Sequence, residues 1–284
     1  MQCSFRALLE RPEALVLPGV YDALSARMAE QAGFEAAFVS GFCVVGSRFG
    51  VPDVGLRAMA DIAGAVADIR SASKIPLFVD MDDGYGDAKV AVHNLHAYER
   101  LGVAAVMIED QRWPKRCGHL DGKDVIPAED MVTKLRAMSR NRLDPTTFIF
   151  ARTDARAVLG LDEALRRGER YLQAGADGLF VEAPQSIEEL EIVGRSFAGV
   201  PLLANPLEGG KSPVLTPKEY RALGFQVIPY GLHLLMRVAR VMRDALQDLR
   251  SGRFDMTYEK TALPFPEYLQ AVGLPQWLEL EKQG

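Results

Sequence analysis

Eight short, almost wholly apolar runs alternate with longer amphipathic segments, and this alternation constrains the fold more than any other feature of the chain. The runs are Leu15–Pro18, Ala36–Ser40, Pro76–Asp82, Ala105–Asp110, Thr147–Asp154, Gly178–Glu182, Pro201–Asn205 and Gln226–Tyr230. Continuous apolarity over so few residues fits parallel strands covered on both faces. The segments between them predict helices over Asp22–Ala32, Leu56–Ser71, Ala88–Leu101, Ala128–Asn141, Leu161–Ala174, Ile187–Ser196 and Pro217–Leu223, with a longer helix over Leu232–Leu249. Gly33, Gly102, Gly175 and Gly224 each stand where a helix ends and a strand is about to begin. Glycine takes the left-handed conformation that such an ending requires. Eight strand–helix units in 284 residues predict one (β/α)8 barrel, a TIM barrel of class α/β, as a single domain over 1–284. A doubly wound open sheet shares the alternation, but no GxGxxG follows an early strand, which removes support for its dinucleotide-binding version.

Three stretches interrupt the pattern. Gly41–Val54 reads as a long loop after the second strand. Gln111–Pro127, after the fourth, lacks apolar periodicity and carries Lys115, Arg116, Cys117, Gly118 and His119, which suits a lid. The tail 251–284 reads as a C-terminal extension whose part Phe265–Leu280 can dock as helix on the barrel or on a neighbouring subunit.

Composition narrows the ligand. Lys and Arg number 33 against 38 Asp and Glu, a formal charge of −5, so nucleic acid is not an expected partner. No apolar run is long enough to span a bilayer, and the start has no secretory signal pattern, so the expected location is cytoplasmic. The cysteines, Cys3, Cys43 and Cys117, are odd in number and widely spaced, which suits neither a disulfide scaffold nor a zinc site.

Acidic residues gather at the predicted C-terminal strand ends, which meet at the catalytic face of a barrel. Asp80 and Asp82 end the third strand, Glu109 and Asp110 the fourth, Arg152 and Asp154 the fifth, Glu182 the sixth and Asn205 the seventh. Alternation along a strand points Asp80 and Asp82 the same way. Converging carboxylates repel, and a hard cation relieves the repulsion, so Asp80, Asp82 and Glu109 read as oxygen ligands for Mg2+, with Mn2+ as the substitute. Waters and a 2-oxo or 2-hydroxy carboxylate would complete the octahedron. The competing role for strand-end aspartates is capping of the next helix. Cys117, beside Lys115 and Arg116, is placed to lose its proton more easily and to exchange it with carbon, or else simply packs in the loop. His119 can orient a carboxylate or secure the closed loop. Arg152 suits a fork for a substrate carboxylate, or a structural ion pair. Ser40 and Gly41 can bind the same carboxylate or form a turn.

The ordered set PGVYDALSARMAEQAGF, VSG, GVPDVG, VDMDDGYG, IEDQ, PKRCGH, ARTDA, VEA and LLANPLEGGKSP resembles the isocitrate lyase and phosphoenolpyruvate mutase superfamily. The resemblance implies a (β/α)8 barrel, a divalent metal, substrates related to pyruvate or oxaloacetate, and a homotetramer that exchanges a late helix between subunits. It places Ser40 and Gly41 at a carboxylate-binding turn and Asp53 near the metal. Asp80, Asp82 and Glu109 fall on the metal shell, some through water. Lys115, Cys117 and His119 fall on the mobile lid, and Arg152, Glu182 and Asn205 on substrate-binding positions. KRCGH is similar to the carbon–carbon lyase branch, which includes methylisocitrate and dimethylmalate lyases, and also to carboxyphosphonoenolpyruvate mutase. Phe38 stands where methylisocitrate lyases carry a tyrosine, Phe42 replaces a glycine, and Asn205 is followed by Pro206 and Leu207 instead of a polar run. These departures make a smaller 2-hydroxy diacid, such as a substituted malate, at least as good a fit as a 2-methylisocitrate-like 2-hydroxy acid. In the mechanism so implied, the C2–C3 bond breaks and Cys117 protonates the leaving fragment. A phosphorylmutase, an oxaloacetate decarboxylase and a non-enzymatic 2-oxo-acid-binding protein are the alternatives.

Overall fold

A computed structural model describes residues 4–207, 209–253 and 262–283. Cys3, Glu208 and the stretch 254–261 of the expected extension lie outside the described residues. Eight parallel strands, β1 (Leu15–Val20), β2 (Ala37–Val39), β3 (Leu77–Asp80), β4 (Ala105–Glu109), β5 (Phe148–Thr153), β6 (Gly178–Val181), β7 (Leu202–Leu203) and β8 (Phe225–Tyr230), close into a barrel through β1–β8 pairing. The predicted (β/α)8 fold is the observed one. Helices α2 (Ala23–Gln31), α4 (Met59–Ala72), α5 (Ala88–Arg100), α6 (Ala128–Asn141), α8 (Leu161–Gln173), α9 (Ile187–Ser196) and α10 (Pro217–Ala222) lie in the predicted crossovers. Gly33, Gly102, Gly175 and Gly224, the four glycines at helix ends, have φ of +86°, +74°, +105° and +99°.

The two faces of each strand bury different things. Val79, Val106, Ile108, Ile149 and Val181 pack outward against the helices. Leu17, Phe38, Phe78, Met107, Phe150 and Phe180 fill the barrel. Helix α1 (Phe5–Leu9), capped by Ser4, inserts Phe5 and Leu8 into that interior cluster. The Phe5 ring lies 5.7 Å from the rings of both Phe78 and Phe148, which closes one end of the barrel with apolar atoms.

The structure corrects several expectations. Most of the expected loop Gly41–Val54 is helix α3 (Gly41–Phe49). Ser40 Oγ accepts a hydrogen bond from Cys43 N at 3.4 Å, and Gly50 ends the helix at φ +65°. The glycines at 41, 46 and 50 hid a short helix behind turn-like composition. Helices α1 and α7 (Ala155–Leu159) were also not expected. Strand β3 stops at Asp80, and Asp82 has φ +48°, so the expected same-face alternation of the two aspartates does not hold. The tail helix is two helices, α12 (Phe265–Ala271) and α13 (Leu274–Glu281), broken at Gly273 with φ +84°. Before them, α11 (His233–Arg250) follows β8 with no residue buried. No helix among the described residues is long and apolar enough to cross a membrane.

Candidate active site

The two-residue repeat that fills the barrel also builds the site. Along β3 the inward position changes from Phe78 to Asp80, and along β4 from Met107 to Glu109. In β5 and just past β6 it changes from Phe150 to Arg152 and from Phe180 to Glu182. The apolar layers thus end in a polar layer at the C-terminal strand ends. That layer lines a cavity of about 560 Å3, including its open mouth, together with Ser40, Asp53, Asn205 and the segment Lys115–His119. Asp82 is buried beneath it and reaches it through Lys115.

Lys115 Nζ lies 2.6 Å from both Asp53 Oδ1 and Asp82 Oδ1. Burial lowers the lysine's proton affinity, but Asp82 and Asp53 outweigh that and hold it charged. Asp53 also grips the lid backbone, its carbonyl accepting from Cys117 N at 3.1 Å. Arg152 is triply committed. It donates to Asp154 through Nε at 2.9 Å and Nη2 at 3.1 Å, and lies 3.2 Å from Glu109 and 3.3 Å from Glu182. His119 Nδ1 accepts from the backbone N–H of Lys211 at 3.2 Å, which assigns the ring proton to Nε2. That nitrogen faces Glu182 at 3.5 Å and the Asn205 amide at 3.4 Å. Burial, aided by nearby cations, pushes His119 below its ordinary range, so the ring is neutral.

Cys117 departs from its expectation. Lys115 is consumed by two carboxylates, and Arg116 turns outward to the carbonyl of Asp121 at 3.0 Å. Burial therefore dominates, and the thiol pKa is raised. The cavity holds a protonated thiol, suited to giving a proton to carbon rather than to resting as thiolate.

The lid sits directly on the charged layer. A Cβ at Gly118 would meet Arg152 Nη2 and Glu182 Cδ, each at 2.5 Å. Gly118→Ala is accordingly expected to hold the lid off its seat and lower kcat by about 100-fold, the scale at which small misplacements act. Steady-state kinetics of that variant, with its melting temperature as a fold control, checks this.

The polar layer fits a hydrated divalent cation. Asp80 and Glu109 offer it carboxylate oxygens. Burial, then the charge of Asp82, pushes the Asp80 carboxyl up to about 6, and burial raises Glu109 strongly. Glu109 Oε1 is buried without a hydrogen-bond partner. Yet among the described residues no three His, Cys, Asp or Glu side chains form a cage by themselves. Mg2+ commonly keeps several waters and uses one or two carboxylates, and Asp80 and Glu109 can serve it in that way, with Asp82 behind. Ser40 and Gly41 prove to be the N-terminus of α3, where backbone N–H groups favour an anion. The space a Gly41 Cβ would take lies 3.5 Å from Asp80 Oδ2, so the helix start abuts the acid layer.

Two residues went unassigned in the sequence. Asp154 was noted only as a strand-end acid and Lys123 not at all, yet Lys123 Nζ lies 2.9 Å from Asp154 Oδ1, with both side chains buried. A pairing across so much chain leaves no local mark.

The phosphoenolpyruvate phosphomutase family model matches residues 5–250. This chain belongs to that family. A 2,3-dimethylmalate lyase from Eubacterium barkeri is 36% identical over 276 residues, covering 97% of this chain and 95% of the relative. Among solved structures, oxaloacetate acetylhydrolase with the inhibitor 3,3-difluorooxalacetate superposes with a TM-score of 0.93 at 32% identity, covering 99% of this chain and 95% of that one. Phosphonopyruvate hydrolase in complex with oxalate and Mg2+ superposes at 0.86 and 27% identity, over 98% and 96% of the two chains. The phosphomutase family thus brings lyases, hydrolases and mutases together on one barrel, and this chain is an enzyme of that group.

Proposed function

We propose that the protein is a divalent-metal-dependent carbon–carbon lyase that cleaves a substituted malate into a 2-oxo acid, such as pyruvate, and a carboxylic acid. The observation that carries this reading is the half-buried Cys117 thiol lining the cavity on a lid over the acid layer, where burial raises its pKa. Mg2+, held by Asp80 and Glu109 with Asp82 behind, would supply positive charge to the substrate's 2-hydroxy carboxylate oxygens. The α3 N-terminus at Ser40–Gly41 and the Arg152 guanidinium bind carboxylate oxygens. The substrate hydroxyl gives up its proton to a water in the cavity, its C–O bond becomes a carbonyl, and the C2–C3 electron pair leaves with the departing fragment. Cys117 gives its proton to that carbon and regains one from water. Lys115, paired with Asp53, and His119, against Glu182 and Asn205, keep the lid down and bulk water out. Phe38, Phe42, Leu203, Pro229 and Leu232 line the same cavity, which supports an alkyl substituent over a third carboxylate.

A panel of substituted malates, phosphonopyruvate and oxaloacetate with Mg2+, read by mass spectrometry, tests the proposal. Pyruvate release from 2,3-dimethylmalate or a neighbouring alkyl malate is expected; turnover of phosphonopyruvate alone would refute it. The TM-score of 0.93 favours a second reading, hydrolysis of oxaloacetate, which the same panel would register as oxalate.

The exposed apolar residues Met236, Val241, Met242, Leu246 and Leu249 on α11, and Phe265, Tyr268, Trp277, Leu278 and Leu280 on α12 and α13, support a homotetramer with exchanged C-terminal helices. Mass photometry is expected to give four chain masses, and Val241→Glu with Leu246→Glu a smaller species. A monomeric parent protein would overturn the assembly.

A further inference from the structure

We propose that Lys123 is a positioning residue, a buried ammonium that clasps the closed lid to the barrel and ties its position to the orientation of Arg152. Lys123 stands on the outgoing limb of the lid, and its side chain is 2% exposed. Its Nζ donates to the carbonyl of Gly118, the lid residue that rests on Arg152 and Glu182, and to Asp154 Oδ1 at 2.9 Å. Asp154 in turn holds the Arg152 fork with both carboxylate oxygens. One ammonium thus bridges the lid backbone and the carboxylate that aims the substrate clamp.

The post beneath the clasp is rigid. Asp154 N donates to Asp110 Oδ1 at 2.8 Å, and Asp110 Oδ2 accepts from Thr153 at 2.8 Å, Tyr171 at 2.8 Å and Arg167 at 3.0 Å. On the incoming limb Lys115 makes the matching tie, to Asp53 and Asp82. Cys117, Gly118 and His119 are therefore strung between two buried lysines, each on carboxylates of the barrel side. Burying an ammonium is costly, and an apolar side chain would fill the same space more cheaply. The charge at 123 is explained by what it holds: lifting the lid must separate Lys123 from Asp154, so the lid reseats when the pair re-forms.

The test is alkylation of Cys117 by iodoacetamide in the full-length protein, read peptide by peptide. Lys123→Met keeps the chain length and removes the charge, while Asp154 stays paired with Arg152. Cys117 is expected to react at least tenfold faster in the variant, and Cys43, with 0% exposure, to stay unmodified in both proteins. On a substrate that the enzyme turns over, kcat is expected to fall by about 100-fold, with KM changed less than about threefold. An unchanged Cys117 rate overturns the proposal. So does equal acceleration at Cys43, which would make Lys123 a general stabiliser. If Lys123→Met does not accumulate folded, Lys123→Gln is read by the same criteria. The labelling does not depend on which acid is cleaved, so its failure is distinct from failure of the lyase reading.

Discussion

Cys117→Ser is expected to lower kcat by about 100- to 10,000-fold, the range for a positioned general acid, while pyruvate and Mg2+ still bind. The substitution exchanges one small group for another at a site whose backbone is held by Asp53, so the lid should still close. What changes is the proton. A thiol titrates near 8.5 in water, and burial moves this one higher, which keeps it protonated yet able to give the proton to a strongly basic carbon. A serine hydroxyl is a far weaker acid. Steady-state kinetics on the best malate of the panel, paired with titration calorimetry for pyruvate and Mg2+, checks both halves. Near-normal turnover would remove Cys117 from the chemistry.

Asp80→Ala should abolish turnover to background and weaken Mg2+ binding by about 100-fold or more, because a site that draws on only one or two carboxylates loses much of its donor set. The metal-free protein should nonetheless melt at the same temperature or higher. Burial and Asp82 push the Asp80 carboxyl up to about 6, so its charge is a liability to the fold. The sign follows from the direction of the shift. The penalty is present above pH 6 and fades as pH falls toward the ordinary carboxylate range, where the folded state takes up the proton first. Scanning calorimetry with and without Mg2+ separates the outcomes: the parent gains stability on adding Mg2+, and the variant does not. An equal Mg2+ shift in both would place the cation elsewhere.

The barrel was legible because its signals are local. Apolar strand runs and glycines at helix ends are each set by a few neighbouring residues, and Gly33, Gly102, Gly175 and Gly224 behave as that logic requires. Residues that follow the strand repeat, such as Glu109, Arg152 and Glu182, could be placed at the catalytic face for the same reason. Asp82 could not, since nothing local announces that β3 ends at Asp80. Helix α3 was obscured by its glycines. The lid was misread electrostatically. Cys117 follows two cations in sequence, but both are spent on partners, one of them on Asp53 and Asp82. Charge neutralised by residues distant in the chain cannot be read from the loop alone, and the Lys123–Asp154 pair went unseen for that reason.

Turnover of 2,3-dimethylmalate in D2O with Mg2+ joins the cation, the bond cleavage and the thiol in one observation. Cleavage under the Cys117 lid predicts pyruvate together with a carboxylic acid carrying one deuterium at the carbon that left, with both products lost in Cys117→Ser. Absence of pyruvate from every alkyl malate tried, alongside conversion of phosphonopyruvate or oxaloacetate, would contradict it.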